Sequence, residues 1–594
     1  MKRISTIFGL IVILSMLIAA CQPAATPAVE DTTAPAEEAP AETVAAEEPA
    51  AEVVYDRAET LYVSGAAWGP ASSWNPFMTW VHANTTGTVG LLYETMFQFD
   101  PQTGELTPFL AESGTWTDAT TFDVVLRDGI TWSDGEPMTA ADVVFTFELA
   151  HQYAAIWFAP VWNYLTSVTA VDDTHIQFLF TDPLYQEWSN NLINIPIVPE
   201  HIWSAFSEEE ITAGANENPI GSGAYLYETG ADDRNVWLRN ENWWGTTLMG
   251  WVPGPRRIVD IRTASNNIAL GMILKGELDL SNNFLPGIAT LEDLGYVQTY
   301  FNDAPYMLAA NTAVLFLNTT KPPMDDPAFR RALAFAIDVD TIVNSAYAGL
   351  VAPASPTGLL PSLGQYVDQA VVDELGYTYD PEQARQILAD AGYVDVNGDG
   401  FVEAPDGSEI ALEVTCPSGW TDWMAAIDVI ATSAQAAGIN IVAATPDYGS
   451  WNTALTTATF DMTLNNWANL SNTPWTLYNL LFRHPLQEVM GSGNFGMYDS
   501  QEMFDLVDAL ARIPTDDLAG MQAACSDIQR LMLTDLPMIP LWYNGLWAQY
   551  SDSTWTGWPS EDAEATHTLP STWAGYWQLG GLNTLINLQP VPVE

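Results

Sequence analysis

Positive charge is scarce in this sequence, with 17 lysines and arginines against 74 aspartates and glutamates in 594 residues and a formal charge of -57. That balance excludes a nucleic-acid partner, because phosphates need lysine and arginine to replace their counterions. It implies instead a strongly hydrated surface, and it repels acidic ligands at long range, which favours neutral or cationic solutes. The 6 histidines form no local cluster, which argues against a nickel or haem site. With 3 cysteines there is no disulfide framework. Cys416 and Cys525 either pair in an oxidising compartment or stay as two separately buried thiols, and spacing leaves both open. After the first twenty residues no second long apolar run follows, so the body does not cross a membrane. There is no short internal repeat, no GxSxG elbow, no HExxH and no cysteine-histidine nucleophile arrangement.

What is present begins at the first residues. Lys2 and Arg3 precede an apolar run over 7–17 that ends in small residues, the pattern of a signal peptide over 1–20. The order Ile18-Ala19-Ala20-Cys21 resembles the lipobox of bacterial lipoproteins, which implies cleavage before Cys21 and acylation of that residue. An uncleaved anchor is the weaker alternative, since the run falls short of the about 20 apolar residues a span needs. Acyl chains on Cys21 would tether the protein to a membrane outside the cytoplasm. The following stretch, to residue 56, is dominated by Ala, Pro, Thr, Glu and Val, cannot build a core, and reads as a disordered spacer, a composition equally compatible with a tail that has no role.

The remaining body of about 540 residues is too long for one core and suggests two large lobes. Local signals alternate: TFDVVLR at 121–127 reads as a strand, Asp128-Gly129 and Ser133-Asp134-Gly135 as turns, and Thr139 with Asp142 as a capping box. Asp326-Pro327 and Asp380-Pro381 open two further helices, the second stopping at Gly392. The fold class is α/β.

A dense segment at 92–148 and, in order, WNPF (74–77), IVPEHIW (197–203), NPIGSGAYLYE (218–228), NENWWG (240–245), KGELDL (275–280), FRRALAFAID (329–338), YDPEQARQILADAGY (379–393) and DLPMIPLWY (535–543) resemble the family 5 solute-binding proteins of ABC importers. Members of that family bind dipeptides, oligopeptides, nickel or oligosaccharides. The resemblance implies a two-lobed periplasmic-binding-protein-like fold (type II, cluster C) whose lobes close on a ligand. It places the first lobe at about 57–305 with an inserted subdomain at about 85–215, the second at about 306–539, and the return to the first at about 540–594. It also implies a binding protein rather than an enzyme, expected to be a monomer, with a small-molecule solute, ABC permease subunits and a membrane as partners, and with no required cofactor.

The 24 tryptophans bear on the ligand, because indole faces stack on sugar C–H faces. Candidates in loops after expected strands are Trp68, Trp74 with its neighbour Asn75, Trp420, Trp423, Trp467 and Trp475, each of which taken singly reads more readily as a half-buried packing residue. Peptide-binding relatives carry acidic residues after a tryptophan, and these pair with a peptide's amino terminus. Here the stretch 467–474 offers Asn469 and Asn472 instead. An ammonium group buried without a carboxylate costs several kcal/mol, whereas amides suit neutral hydroxyls. The segment SGWTDWM (418–424) also resembles the oligosaccharide-binding branch of the family, so the expected cargo is a neutral, cellobiose-like oligosaccharide, with an oligopeptide as the alternative and a secreted glycoside hydrolase as a further one.

A second motif carries metal chemistry. Asp395, Asn397, Asp399, Glu403 and Asp406, with the carbonyl of Phe401 and a glycine at 400, follow the spacing of a calcium loop, although Asp replaces the usual Glu at its last position. A structural calcium is expected there, against the plainer reading of a polar turn between helix and strand.

Overall fold

The computed structural model of the chain describes residues 55–65, 73–78, 87–100, 104–469, 471–562 and 578–592, except the side chains of 467–469 and 578–580. The signal peptide, Cys21, the spacer to residue 54, and Trp68 lie outside the described residues.

The body is organised around two six-stranded sheets. In the first, Thr60–Ser64 lies between Leu280–Ser281 and Arg257–Ile261, parallel to both. Its TLYVS sequence is buried at all but one position, as expected of a parallel strand covered on both faces. Arg234–Arg239 and Tyr225–Ala231 extend this sheet on one side and Gln549–Tyr550 closes the other. In the second sheet Ala309–Leu317 is central, antiparallel to Met538–Gly545 and Met462–Asn469. Leu412–Thr415 and Ile441–Ala444 continue it as parallel strands.

A four-stranded antiparallel sheet makes the inserted piece, in the order Ala111–Asp118, Thr121–Leu126, His175–Phe180, Leu165–Ala170. The expected strand at 121–127 is Thr121–Leu126, and its strict alternation of buried and half-buried positions puts one face on the core. The capping box forms as the sequence required, with Thr139 N–H donating to Asp142 Oδ2 at 2.8 Å ahead of the helix Ala140–Gln152. Asp326 and Asp380 cap Pro327–Ala336 and Pro381–Asp390. Gly392, at φ +90°, ends the second of these in a conformation that a side chain disfavours.

The chain leaves the first sheet after Ser281, joins the second at Ala309, and returns between Gly545 and Gln549. Met538–Gly545 belongs to the second sheet, so the return comes later than the expected 540. The two crossings run side by side, with Leu546 N–H donating to Leu308 O at 2.7 Å. Two thin connections of this kind are what a hinge between lobes requires.

Two of the segments that carry the family resemblance acquire a structural reason here. In NPIGSGAYLYE, Gly221 and Gly223 pass so close to residues 91–92 that a Cβ would lie 2.0 Å from Leu92 O and 2.0 Å from Leu91 O. In NENWWG, both indoles turn inward onto one carboxylate: Trp243 Nε1 and Trp244 Nε1 donate to Glu94 Oε1 and Oε2 at 2.9 and 2.7 Å. Glu94 is 2% exposed, and burial pushes its carboxyl up to about 8 despite those two donors. Cys416 and Cys525 are free thiols buried in different apolar clusters, so of the two alternatives the unpaired one is realised.

Candidate ligand cleft

Parallel strands place their following loops together at their carboxyl ends, and ligands collect there. Gly65 follows Thr60–Ser64, Arg262 follows Arg257–Ile261, and Asn282 follows Leu280–Ser281. Opposite them, Leu412–Thr415 leads into the loop and helix that carry Trp420 and Trp423. Between these two sets lies a cavity of about 300 Å³, to which Phe284, Tyr448, Asn466, Asn544 and Trp547 also contribute.

The lobes touch across this cavity. Asn266 Nδ2, from the first lobe, donates to Asp422 Oδ1 at 2.9 Å and to Thr421 Oγ1 at 3.3 Å in the second. Gly419, at φ +88°, comes so close that a Cβ would sit 2.6 Å from Ala264 O. Farther from the cavity, the inserted piece meets the second lobe as well: Gln186 Nε2 donates to Ile513 O at 2.7 Å, and Arg512 Nε to Asp182 Oδ2 at 2.8 Å. The arrangement is a closed one.

The walls are aromatic. Trp420 and Trp423 meet edge to face, their centroids 5.0 Å apart at 87°. Trp423 is almost wholly buried, so the half-buried Trp420 presents the more open ring. On the other side Trp547 lies 5.0 Å from Phe284 at 68° and stacks on Tyr347. Asp422 is the one carboxylate among the described lining residues. Both of its oxygens are engaged, Oδ2 accepting from Tyr347 O–H at 3.0 Å, and burial pushes its carboxyl up to about 6.

The sequence candidates divide. Trp420 and Trp423 line the cavity. Trp74 and Asn75, expected at the ligand, are core residues: Trp74 packs 4.2 Å from Tyr227, and Asn75 Nδ2 donates to Ile211 O at 2.9 Å while Oδ1 accepts from Phe77 N–H at 2.8 Å. WNPF is thus a clamp that pins the 73–78 segment to residues 210–214. Trp475 is likewise core, 3% exposed in a cluster with Tyr478. Asn472 lies half-buried in the turn before the helix Trp475–Leu481 and is not among the lining residues. Trp467 and Asn469 lie on the strand Met462–Asn469, their side chains outside the described ones. Trp547, Phe284 and the lining asparagines were missed by sequence reasoning. Trp547 stands just after a strand end and was legible by the same rule that selected Trp420.

In the 395–406 loop, oxygens of Asp395, Asp399 and Glu403 come within 4.8 Å of one another. Asp406 turns away and accepts from Ser408 N–H at 2.9 Å. Asn397 presents its Nδ2 to Glu403, at 2.5 Å, while its oxygen accepts from Asp399 N–H. The residues therefore fit a cation only in part: three carboxylates converge, and Asn397 would have to turn its oxygen inward.

Comparison with known proteins agrees with this architecture. The family model described as bacterial extracellular solute-binding proteins, family 5, matches residues 105–485. A periplasmic oligopeptide-binding protein of an oligopeptide ABC transporter from Thermotoga maritima, solved with mannohexaose bound, is 45% identical, with a TM-score of 0.86 over 90% of this chain and 99% of that one. An oligopeptide-binding protein from Bacillus subtilis, solved with a nonapeptide, shares the fold at 19% identity and a TM-score of 0.72, covering 90% of this chain and 99% of that one. A putative ABC transporter peptide-binding protein from Brucella ovis is 26% identical over 45% of this chain, and the match spans 48% of that protein's length. No helix among the described residues is long and apolar enough to cross a membrane.

Proposed function

This chain belongs to the bacterial extracellular solute-binding proteins of family 5, and on that premise we propose that it captures a neutral oligosaccharide by lobe closure and delivers it to the permease of an ABC importer. The observation that carries the saccharide reading is the state of Asp422, the one carboxylate among the described lining residues. Asp422 is buried, committed to Asn266 and Tyr347, and raised to about 6 by desolvation, which makes it a poor partner for a ligand ammonium. A buried ammonium without a carboxylate costs several kcal/mol, whereas hydroxyls are satisfied by amides. The tryptophan walls supply flat faces for sugar rings, and the Thermotoga maritima relative was solved with mannohexaose.

A ligand that touches both lobes stabilises the closed state by its extra contacts there, and the importer reads that state. Acylation at Cys21 would hold the protein beside the permease, with residues 22–56 as its tether. An oligopeptide cargo is the second reading, favoured by the peptide-binding description of the Brucella relative. A glycoside hydrolase needs two carboxylates around the scissile bond, and the described lining residues supply one.

A thermal-shift screen of cello-, xylo- and manno-oligosaccharides against di- to pentapeptides tests the proposal. A sugar at a hundredfold its Kd should stabilise by about 2.7 kcal/mol. Stabilisation by peptides alone would refute the saccharide reading. Trp420→Ala should abolish the sugar response, and an unchanged response would return Trp420 to a packing role.

A further inference from the structure

Buried polar atoms in native proteins almost always have partners, so those left without one in a cleft mark where a ligand is expected. Three such atoms belong to residues that line the cavity, and a fourth lies on the strand paired with one of them. Asn282 Oδ1 and Arg262 Nη1 from the first lobe, and Asn544 Oδ1 and Asn311 Oδ1 from the second, are buried with no hydrogen-bond partner among the described residues. Asn282, Arg262 and Asn544 line the cavity itself.

Two of these residues are held in place by backbone carbonyls. Asn282 Nδ2 donates to Trp547 O at 2.6 Å, which fixes the amide and leaves its oxygen without a partner. Arg262 Nε donates to Asp232 O at 2.8 Å and Nη2 donates to Ala231 O, so the guanidinium is tied down by backbone carbonyls and keeps Nη1 free. Asn544 is 5% exposed. The register sets Asn311 opposite Asn544 on one side and opposite Asn469 on the other, which makes a row of three asparagines across three strands. Directly paired residues of antiparallel strands share a face, so Asn311 stands on the same face as Asn544.

We propose that Asn282 and Asn544, with Asn311 beside Asn544, are the specificity-determining residues of this cleft. Their side-chain oxygens accept hydrogen bonds from the hydroxyls of one sugar ring, while Arg262 donates to an oxygen of the same ligand. This rests on the saccharide reading. Unpaired amide oxygens beside a held guanidinium suit a ligand rich in O–H groups, and a cleft that leaves such groups unpaired rejects analogues lacking the matching hydroxyl.

The test is calorimetric titration of cellobiose and of mannohexaose into the full chain, its Asn282→Ala and Asn544→Ala variants, and monodeoxy cellobioses against each. Each variant is expected to bind the accepted sugar about tenfold more weakly or worse. One deoxy analogue should lose affinity for the wild type but lose nothing further against the variant whose partner hydroxyl it lacks, a pattern that a merely structural role would not produce. If Asn544→Ala fails to fold, the half-buried Asn282 carries the test alone. Variants that melt and bind as the wild type does would overturn the assignment while leaving the saccharide reading intact. Wild-type binding of tetrapeptides and of neither sugar would instead overturn the saccharide reading, and this assignment with it.

Discussion

Replacing Glu94 by Gln should change how stability depends on pH. Glu94 is buried against Trp243 and Trp244, and its carboxyl is raised from 4.5 to about 8, chiefly by desolvation. A raised folded-state value means that between about 4.5 and about 8 the folded protein holds a proton which the unfolded chain has released. Stability from this group is therefore fully present below 4.5 and is lost as pH rises to about 8. The difference corresponds to a loss on the order of 5 kcal/mol. At about 2 cal/mol/K of unfolding entropy per residue, a body of about 540 residues has roughly 1.1 kcal/mol/K, so the loss amounts to about 4 °C in Tm. Gln keeps one acceptor for an indole but sets an N–H₂ against the other, so the variant should melt lower at acid pH. Differential scanning calorimetry from about pH 5 to about pH 9 should then show the gap between wild type and E94Q shrinking by about 4 °C. Glu187 and Asp422 are also raised, but both proteins share them, so the difference isolates Glu94. Parallel profiles would refute the reasoning.

Gly223→Ala should destabilise by about 3 kcal/mol or more, because the added Cβ meets the rigid Leu91 carbonyl rather than a side chain that can turn away; a Tm within a degree of wild type would contradict this. Calcium added after chelation is expected to bind the 395–406 loop with a Kd on the order of 10⁻⁴ to 10⁻³ M, the range of extracellular modules, since only three carboxylates converge. Absence of any heat in calorimetric titration at millimolar calcium would remove the site, and Asp399→Asn should weaken whatever binding is seen.

Much of the local structure was legible because it is set by chemistry within a few residues. The alternation in 121–126, the Thr139–Asp142 box, the Asp-Pro helix starts and Gly392 each satisfy backbone groups or φ locally, and each appears where the sequence put it. The cleft was legible only in part. Trp420 and Trp423 follow a strand and do line the cavity, yet Trp74 and Trp475 obey the same rule and are buried in the core. A tryptophan after a strand has the same local signature whether its ring meets solvent or another element, and contacts such as Trp74 with Tyr227 join residues far apart in the chain.

The sequence by itself determined the α/β alternation, the helix boundaries and the ordered segments by which the family is recognised, since propensity, capping and turn chemistry are short-range. Only the tertiary structure decided that NENWWG closes on Glu94, that Gly221 and Gly223 make room for residues 91–92, and that the two cysteines stay apart. It alone brought Asn282, Asn544 and Trp547 to one cavity, because that meeting depends on how two sheets and their double crossing pack together, which no window of neighbouring residues encodes.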